Sequence, residues 1–291
     1  MIATLSKVLI MALIACFAAS PSVPIGQFST HTPCHDELRQ LHNIPAGVDC
    51  SVIKWNLILN GGRHQSFSMT SEWGYYVDNR TLEIRGHADA SGKWTLDETR
   101  AFPVITINGQ NGTTASFRLL DSNHLHVLDA SGKLLNGNGG WSFTLNRSSQ
   151  TNPAVPTKTQ VTAPYRETFT SKTFHGRTPC REISTEANIA TDPTCFKLKW
   201  LLRLYQDSVS LIPSHYELQT TYHRASILRG KWEIYSAVVN NRQEIIYELD
   251  PDKRDKSIRL MKGDDNLLFF LDKNLVLLPG GTEFGYTLNR R

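Results

Sequence analysis

The side chains with the widest chemical range in this 291-residue chain are its ten histidines and five cysteines, and they are unevenly spread. His31, Cys34, His35 and His42 crowd one short segment, and thiolate together with imidazole suits a soft cation such as Cu(I) or Zn(II). A second pair stands in the run His124-Leu125-His126-Val127-Leu128. There the two-residue period of a strand puts both imidazoles on one face, about 7 Å apart, with Leu125 and Val127 on the other. His124, His126, His31 and His35 are therefore the candidate metal ligands, for copper or zinc. The competing reading of the strand pair is burial against neighbouring strands, with each ring hydrogen-bonded there.

Four of the cysteines form two matched pairs: Cys34 and Cys50 lie 16 positions apart, Cys180 and Cys195 lie 15 apart. In an oxidising compartment each pair closes one loop as a disulfide; held as thiolates, Cys34 and its histidines would instead serve a metal. Cys16 is the odd one out. It follows Lys7 and an apolar stretch from Val8 to Ala15, too short to span a membrane but suited to the core of a signal peptide. Leu13-Ile14-Ala15-Cys16 reads as a lipobox, which makes Cys16 a lipidation site and the membrane a partner through the lipid. An ordinary signal peptidase site near Ala18-Ala19-Ser20 is the other route.

No G-x-S-x-G elbow, H-E-x-x-H, phosphate-binding loop or dinucleotide fingerprint occurs, and acidic pairs such as Asp264-Asp265 fall in turns. Nothing here predicts an enzyme. The net charge is +4 with no block of like charge, so no nucleic-acid partner is expected either.

The elements that must position these residues come in duplicate. Thr32-Pro33-Cys34 recurs as Thr178-Pro179-Cys180, Lys54-Trp55 as Lys199-Trp200, Gly92-Lys93-Trp94 as Gly230-Lys231-Trp232, and Thr144-Leu145-Asn146-Arg147 as Thr287-Leu288-Asn289-Arg290. The shifts of 146, 145, 138 and 143 keep their order, as a duplicated domain requires. Short aromatic and β-branched runs, such as Trp200 to Tyr205 and Glu244 to Leu249, alternate with turn signals such as Asp250-Pro251-Asp252. The expected fold is all-β: two tandem small antiparallel meander barrels, lipocalin-like, each with one disulfide and at most one short helix. The helical candidates are His35 to Asn43 and Arg181 to Ala190. The division is a signal peptide at 1–16, a spacer at 17–26, a first barrel at 27–147, a Pro/Ser/Thr linker at 148–165 and a second barrel at 166–291, with the two copies folding separately.

Gly176, Pro179 and Cys180, then Gly230 and Trp232, Leu268, Leu271 and Asp272, and finally Tyr286-Thr287-Leu288 form a pattern that resembles the N-terminal domain of NlpE-type copper-homeostasis lipoproteins. That resemblance implies a small lipocalin-like barrel on an outer-membrane lipoprotein concerned with copper tolerance, surface sensing and envelope stress. The family's usual C-x-x-C is replaced here by cysteines 15 or 16 positions apart, and a second copy stands where the family has a different domain. The expected function is a non-enzymatic binding or sensing module of the cell envelope, with a ligand or an envelope protein as partner. The alternative is a structural or adhesive surface protein whose barrels hold only side chains. Any specific activity is expected in the histidine-bearing first copy.

Overall fold

The computed structural model describes residues 24–78, 81–110, 112–149, 161–187, 189, 191–221, 227–253 and 255–291. The signal peptide, Cys16 and most of the linker lie outside them. The first copy comprises β1 (Gly26–Pro33), α1 (Asp36–Leu41), β2 (Val52–Asn60), β3 (Ser66–Tyr76), β4 (Leu82–Asp97), β5 (Val104–Gly109), β6 (Thr114–Asp121), β7 (His124–Leu128) and β8 (Thr144–Arg147). Each strand pairs antiparallel with the next, and β8 returns to β1 at Phe28↔Arg147, so the sheet closes and has no free edge. Alternation sends Trp55, Leu57 and Leu59 of β2 inward, where they meet Phe28, Phe117 and Leu145 in a side-chain-filled core.

α1 covers part of that core with Leu38 and Leu41, while Asp36 and Glu37 occupy its first turn, where the helix dipole favours negative charge. It is shorter than the predicted His35 to Asn43, because His35 is its cap and Asn43 already has φ of 50°, a left-handed conformation that ends a helix. Cys34 and Cys50 are bonded, with Cα atoms 5.8 Å apart, and tie the helix-bearing loop to the start of β2. By loop entropy this crosslink is worth about 3 kcal/mol. Replacing both residues by serine is expected to lower the urea-unfolding free energy by about that amount. No change in the unfolding curve would mean that the loop is already restrained in the unfolded chain.

The second copy repeats the plan with β10 (Ser171–Thr178), α2 (Arg181–Glu186), β11 (Leu198–Gln206), β12 (Pro213–Thr220), β13 (Leu228–Gly230), β14 (Trp232–Val239), β15 (Arg242–Leu249), β16 (Ile258–Lys262), β17 (Leu267–Leu271) and β18 (Thr287–Arg290). Its helix also stops short of the predicted Ala190. The hydroxyls of Ser184 and Thr185 both donate to the Arg181 carbonyl and compete with the helical ladder. The second disulfide, Cys180–Cys195, has Cα atoms 6.0 Å apart.

The recurring Gly-Lys-Trp marks the barrel corner. Gly92 lies where β4 changes partners from β3 to β5, and a Cβ there would run into the Asn108 carbonyl and the Phe67 ring. Two residues on, Trp94 Nε1 donates to Asn60 O at 2.9 Å, and Trp232 Nε1 makes the equivalent bond to Tyr205 O at 2.9 Å. In the second copy the corner strand is interrupted at Lys231, so β13 and β14 end a sheet that is open rather than hydrogen-bonded all round. Beyond β14 the sheet takes on β9 (Val161–Pro164), which pairs antiparallel with it. The end of the predicted linker is thus a strand, placed where its pairing covers the open edge and where a proline costs no ladder bond.

The two copies do not stand apart as the linker suggested. Val104, Leu120, Leu128 and Leu134 of the first share a third core with Val239, Ile246, Met261, Phe269 and Leu277 of the second. The contact is close to twofold. Thr144 Oγ1 and its counterpart Thr287 Oγ1 meet at 2.8 Å, Asn146 Nδ2 donates to Gly281 O at 2.9 Å, and Gly137 N donates to Asn289 Oδ1 at 2.7 Å. Self-complementary pairing of this kind is the geometry of a symmetric dimer, here within one chain.

Candidate functional site

The predicted histidines are placed one by one by this framework. β7 sends Leu125 and Val127 into the first barrel, as its alternation predicts, and turns His124 and His126 toward the second copy, where both are buried. His126 has both ring nitrogens engaged: Nε2 lies 2.9 Å from the Leu135 carbonyl and Nδ1 lies 3.0 Å from Thr144 Oγ1. A carbonyl only accepts, so Nε2 carries the proton, and the neutral ring accepts at Nδ1 from the threonine hydroxyl. Burial pushes the His126 pKa down to about 4. The ring meets Phe269, its own counterpart in the second copy, edge-on at 5.5 Å. His124 Nδ1 is 2.7 Å from Asp121 Oδ1, so the two imidazoles have separate partners.

The other cluster is dispersed in the same way. Cys34 is spent in the disulfide, His35 caps α1 by accepting from Glu37 N at 3.4 Å, and His31 Nδ1 contacts the Tyr76 hydroxyl at 3.3 Å. Burial first, and Lys54 next, push the His31 pKa down to about 4. His42 is enclosed beside Trp55, edge-on at 4.7 Å, with no hydrogen-bond partner for either nitrogen among the described residues, and burial holds its pKa at about 3. In the second copy Trp200 Nε1 donates to Thr178 Oγ1 at 2.8 Å, whereas the equivalent Trp55 Nε1 and Thr32 Oγ1 have no hydrogen-bond partner among the described residues. Among the described residues, no three His, Cys, Asp or Glu side chains gather as a metal cage.

What the fold does bring together is a cleft of about 590 Å³ with residues from both copies. One wall stacks Tyr76 on Trp141, with ring centroids 5.3 Å apart, and Arg177 lies over the Trp141 ring at 5.0 Å. The other wall sets Phe196 edge-on to Phe284 at 5.6 Å, with the Lys197 ammonium 5.5 Å from the Phe196 centroid. Trp141 and Phe284 are counterparts under the 143-residue shift, so the cleft straddles the pseudo-twofold relation between the copies. Phe196 is 49% exposed, a large ring left open to solvent. Burial raises the Tyr76 pKa to about 12 and holds the Glu283 carboxyl above its usual range, so the phenol is neutral at physiological pH and the cleft is partly desolvated.

None of Trp141, Arg177, Phe196 or Phe284 stands out in the sequence as a site. The available signal was the alignment of the copies, which puts Arg177 in the place of His31 and an aromatic ring at both 141 and 284. No protein-family model and no curated protein matches the chain. Among solved structures, the crystal structure of the Cpx pathway activator NlpE from Escherichia coli is similar over 62% of this chain and 85% of that one, at 14% identity and a TM-score of 0.25. At those values nothing about residues, ligands or activity passes from one protein to the other. That structure bears the name of the family whose pattern the sequence resembles.

Proposed function

We propose that the chain is an exported, non-enzymatic binding module of the cell envelope, and that it holds an amphipathic ligand in the cleft between its closed barrel and the open sheet of its second copy. The observation that carries this reading is the cleft itself: four aromatic rings from two copies, two cations seated on them, and one ring half open to water. Concave sites with apolar walls and a few convergent polar groups are where small ligands bind. Packed side chains form the core inside the closed barrel and the core of the second copy. The signal-like segment and the two disulfides support export, and Cys16 supports a lipid tether at the envelope. Copper has no part in this proposal, since Cys34 and Cys50 are bonded to each other and His126 has both nitrogens engaged.

Anilinonaphthalene sulfonate, an aromatic anion whose emission rises in apolar surroundings, tests the reading on the native full chain. Saturable binding is expected, weakened about tenfold by Phe196→Ala and by Trp141→Ala, since losing one well-packed ring contact costs roughly 1.4 kcal/mol or more. No saturable signal, or the same affinity in both variants, would leave the adhesive reading in its place.

A further inference from the structure

Arg177 is placed differently from three other enclosed cations of the second copy and its interface. Arg118 has Glu244 at 3.2 Å, Arg259 has Glu248 at 2.8 Å, and Lys172 has Glu167 at 3.1 Å. Arg177 has no carboxylate partner among the described residues. The titratable side chain acting on it is the Tyr76 phenol, neutral at physiological pH, while Asp78 and Glu283 also line the aromatic cleft that Arg177 borders. A guanidinium cannot shed its proton, so burial without a counter-ion is costly.

The pseudo-symmetry shows where that counter-ion would have been. Under the 143-residue shift Glu283 of the second copy corresponds to Gly140 of the first. Glu283 faces Lys197 and Lys54. In the opposite half a Cβ on Gly140 would stand 3.6 Å from Arg177 Cζ, so the glycine lies against the guanidinium and brings no acid. The space beside it is a groove of about 370 Å³ lined by Gly139, Gly140, His175, Arg177, Arg290 and Arg291, with no acidic side chain on its walls. Arg291 and Arg203 add to burial in holding the His175 pKa down, the sign of a positive local field. Arg290 and Arg291 line this groove together with Arg177, and the planar fork of a guanidinium matches the oxygens of phosphate.

We propose that this groove is an oxyanion site for a phosphate group, with Arg177 as its central ligand. The phosphate takes the place that Glu283 fills in the other half. The site shares Arg177 with the aromatic cleft but does not require that cleft to be occupied.

Inorganic phosphate titrated into the full chain at constant ionic strength is the test, followed by tryptophan emission, because Arg177 rests on the Trp141 ring. A saturable change is expected in the wild type and is lost from the emission of Trp141→Phe. Arg177→Gln should weaken binding about tenfold or more. Gly140→Glu should do the same by supplying an internal carboxylate, with an unfolding midpoint no lower than wild type, which separates loss of the site from loss of the fold. Sedimentation with phosphatidylglycerol vesicles but not phosphatidylcholine vesicles, competed by phosphate, would assign the group to a lipid; phosphate binding without vesicle capture would assign it to a soluble ligand. If the wild type responds to neither phosphate nor phosphatidylglycerol, or if both variants bind as well as wild type, the proposal is overturned.

Discussion

Lowering the pH from about 7 to about 4 is expected to unfold this protein, through three histidines that the fold encloses in neutral form. His31, His42 and His126 have pKa values pushed down to about 4, about 3 and about 4, with burial as the largest cause in each case. In the unfolded chain each returns to about 6.5. Between those values the unfolded state takes up protons that the folded state refuses, so stability falls as the pH drops below 6.5 and keeps falling toward the folded pKa. A tenfold change in proton affinity is worth about 1.4 kcal/mol, so each ring contributes on the order of 3 kcal/mol, against a usual total stability of about 5 to 15 kcal/mol. Glu244, Asp264 and Glu283 act in the other direction, since burial raises their pKa values and favours the folded state as they protonate.

Urea unfolding measured at stepwise lower pH checks this expectation. His42→Leu gives the sharper comparison, because neither nitrogen of His42 has a hydrogen bond among the described residues to lose. That variant should be at least as stable as wild type at neutral pH and clearly more stable near pH 5, with a shallower pH slope by about one proton. A flat stability curve between pH 7 and 4.5 would mean that these rings reach water in the folded state.

Removing the carboxylate of Glu244 is expected to cost about 3 to 5 kcal/mol. Its ion pair with Arg118 joins the two copies, the two side chains being 16% and 10% exposed. Burial raises the Glu244 pKa and lowers that of Arg118, so for each partner desolvation outweighs the attraction of the other. Such a pair adds little by itself, but either member left alone is a buried, unopposed charge. In Glu244→Gln, Arg118 would face the nearby Arg242 with its main counter-charge gone, held by the Gly263 carbonyl at 3.3 Å and the Phe102 ring at 4.5 Å, with Asp264 as its remaining acidic neighbour. The double variant Arg118→Met, Glu244→Leu should instead lie close to wild type or above it. Unfolding free energies of the two variants decide the matter: equal losses in both would place the stabilisation in the ion pair, and no loss in Glu244→Gln would place the pair in solvent.

The sequence by itself determined what repeats and what alternates. The duplication, the all-β plan, the matched cysteine pairs and the corner Gly-Lys-Trp depend on local patterns or on comparing one half of the chain with the other. The steric and hydrogen-bonding demands behind them act within a few residues or along a single ladder. His124 and His126 were likewise legible as one face of a strand, and their apolar counterparts Leu267 and Phe269 marked that face as buried.

Only the tertiary structure decided what covers that face. It is the other copy, and the contact turns a candidate metal pair into two rings with separate partners, one of them packed on Phe269. The cleft and the groove were hidden for the same reason. Trp141 and Arg177 are 36 positions apart and belong to different copies, and they meet because the docking is nearly twofold. A sequence comparison shows Arg177 where His31 stands and Gly140 where Glu283 stands. It cannot show that the arginine and the glycine lie against each other, because that contact is set by how two apolar sheet faces pack, and packing joins residues without regard to their order in the chain.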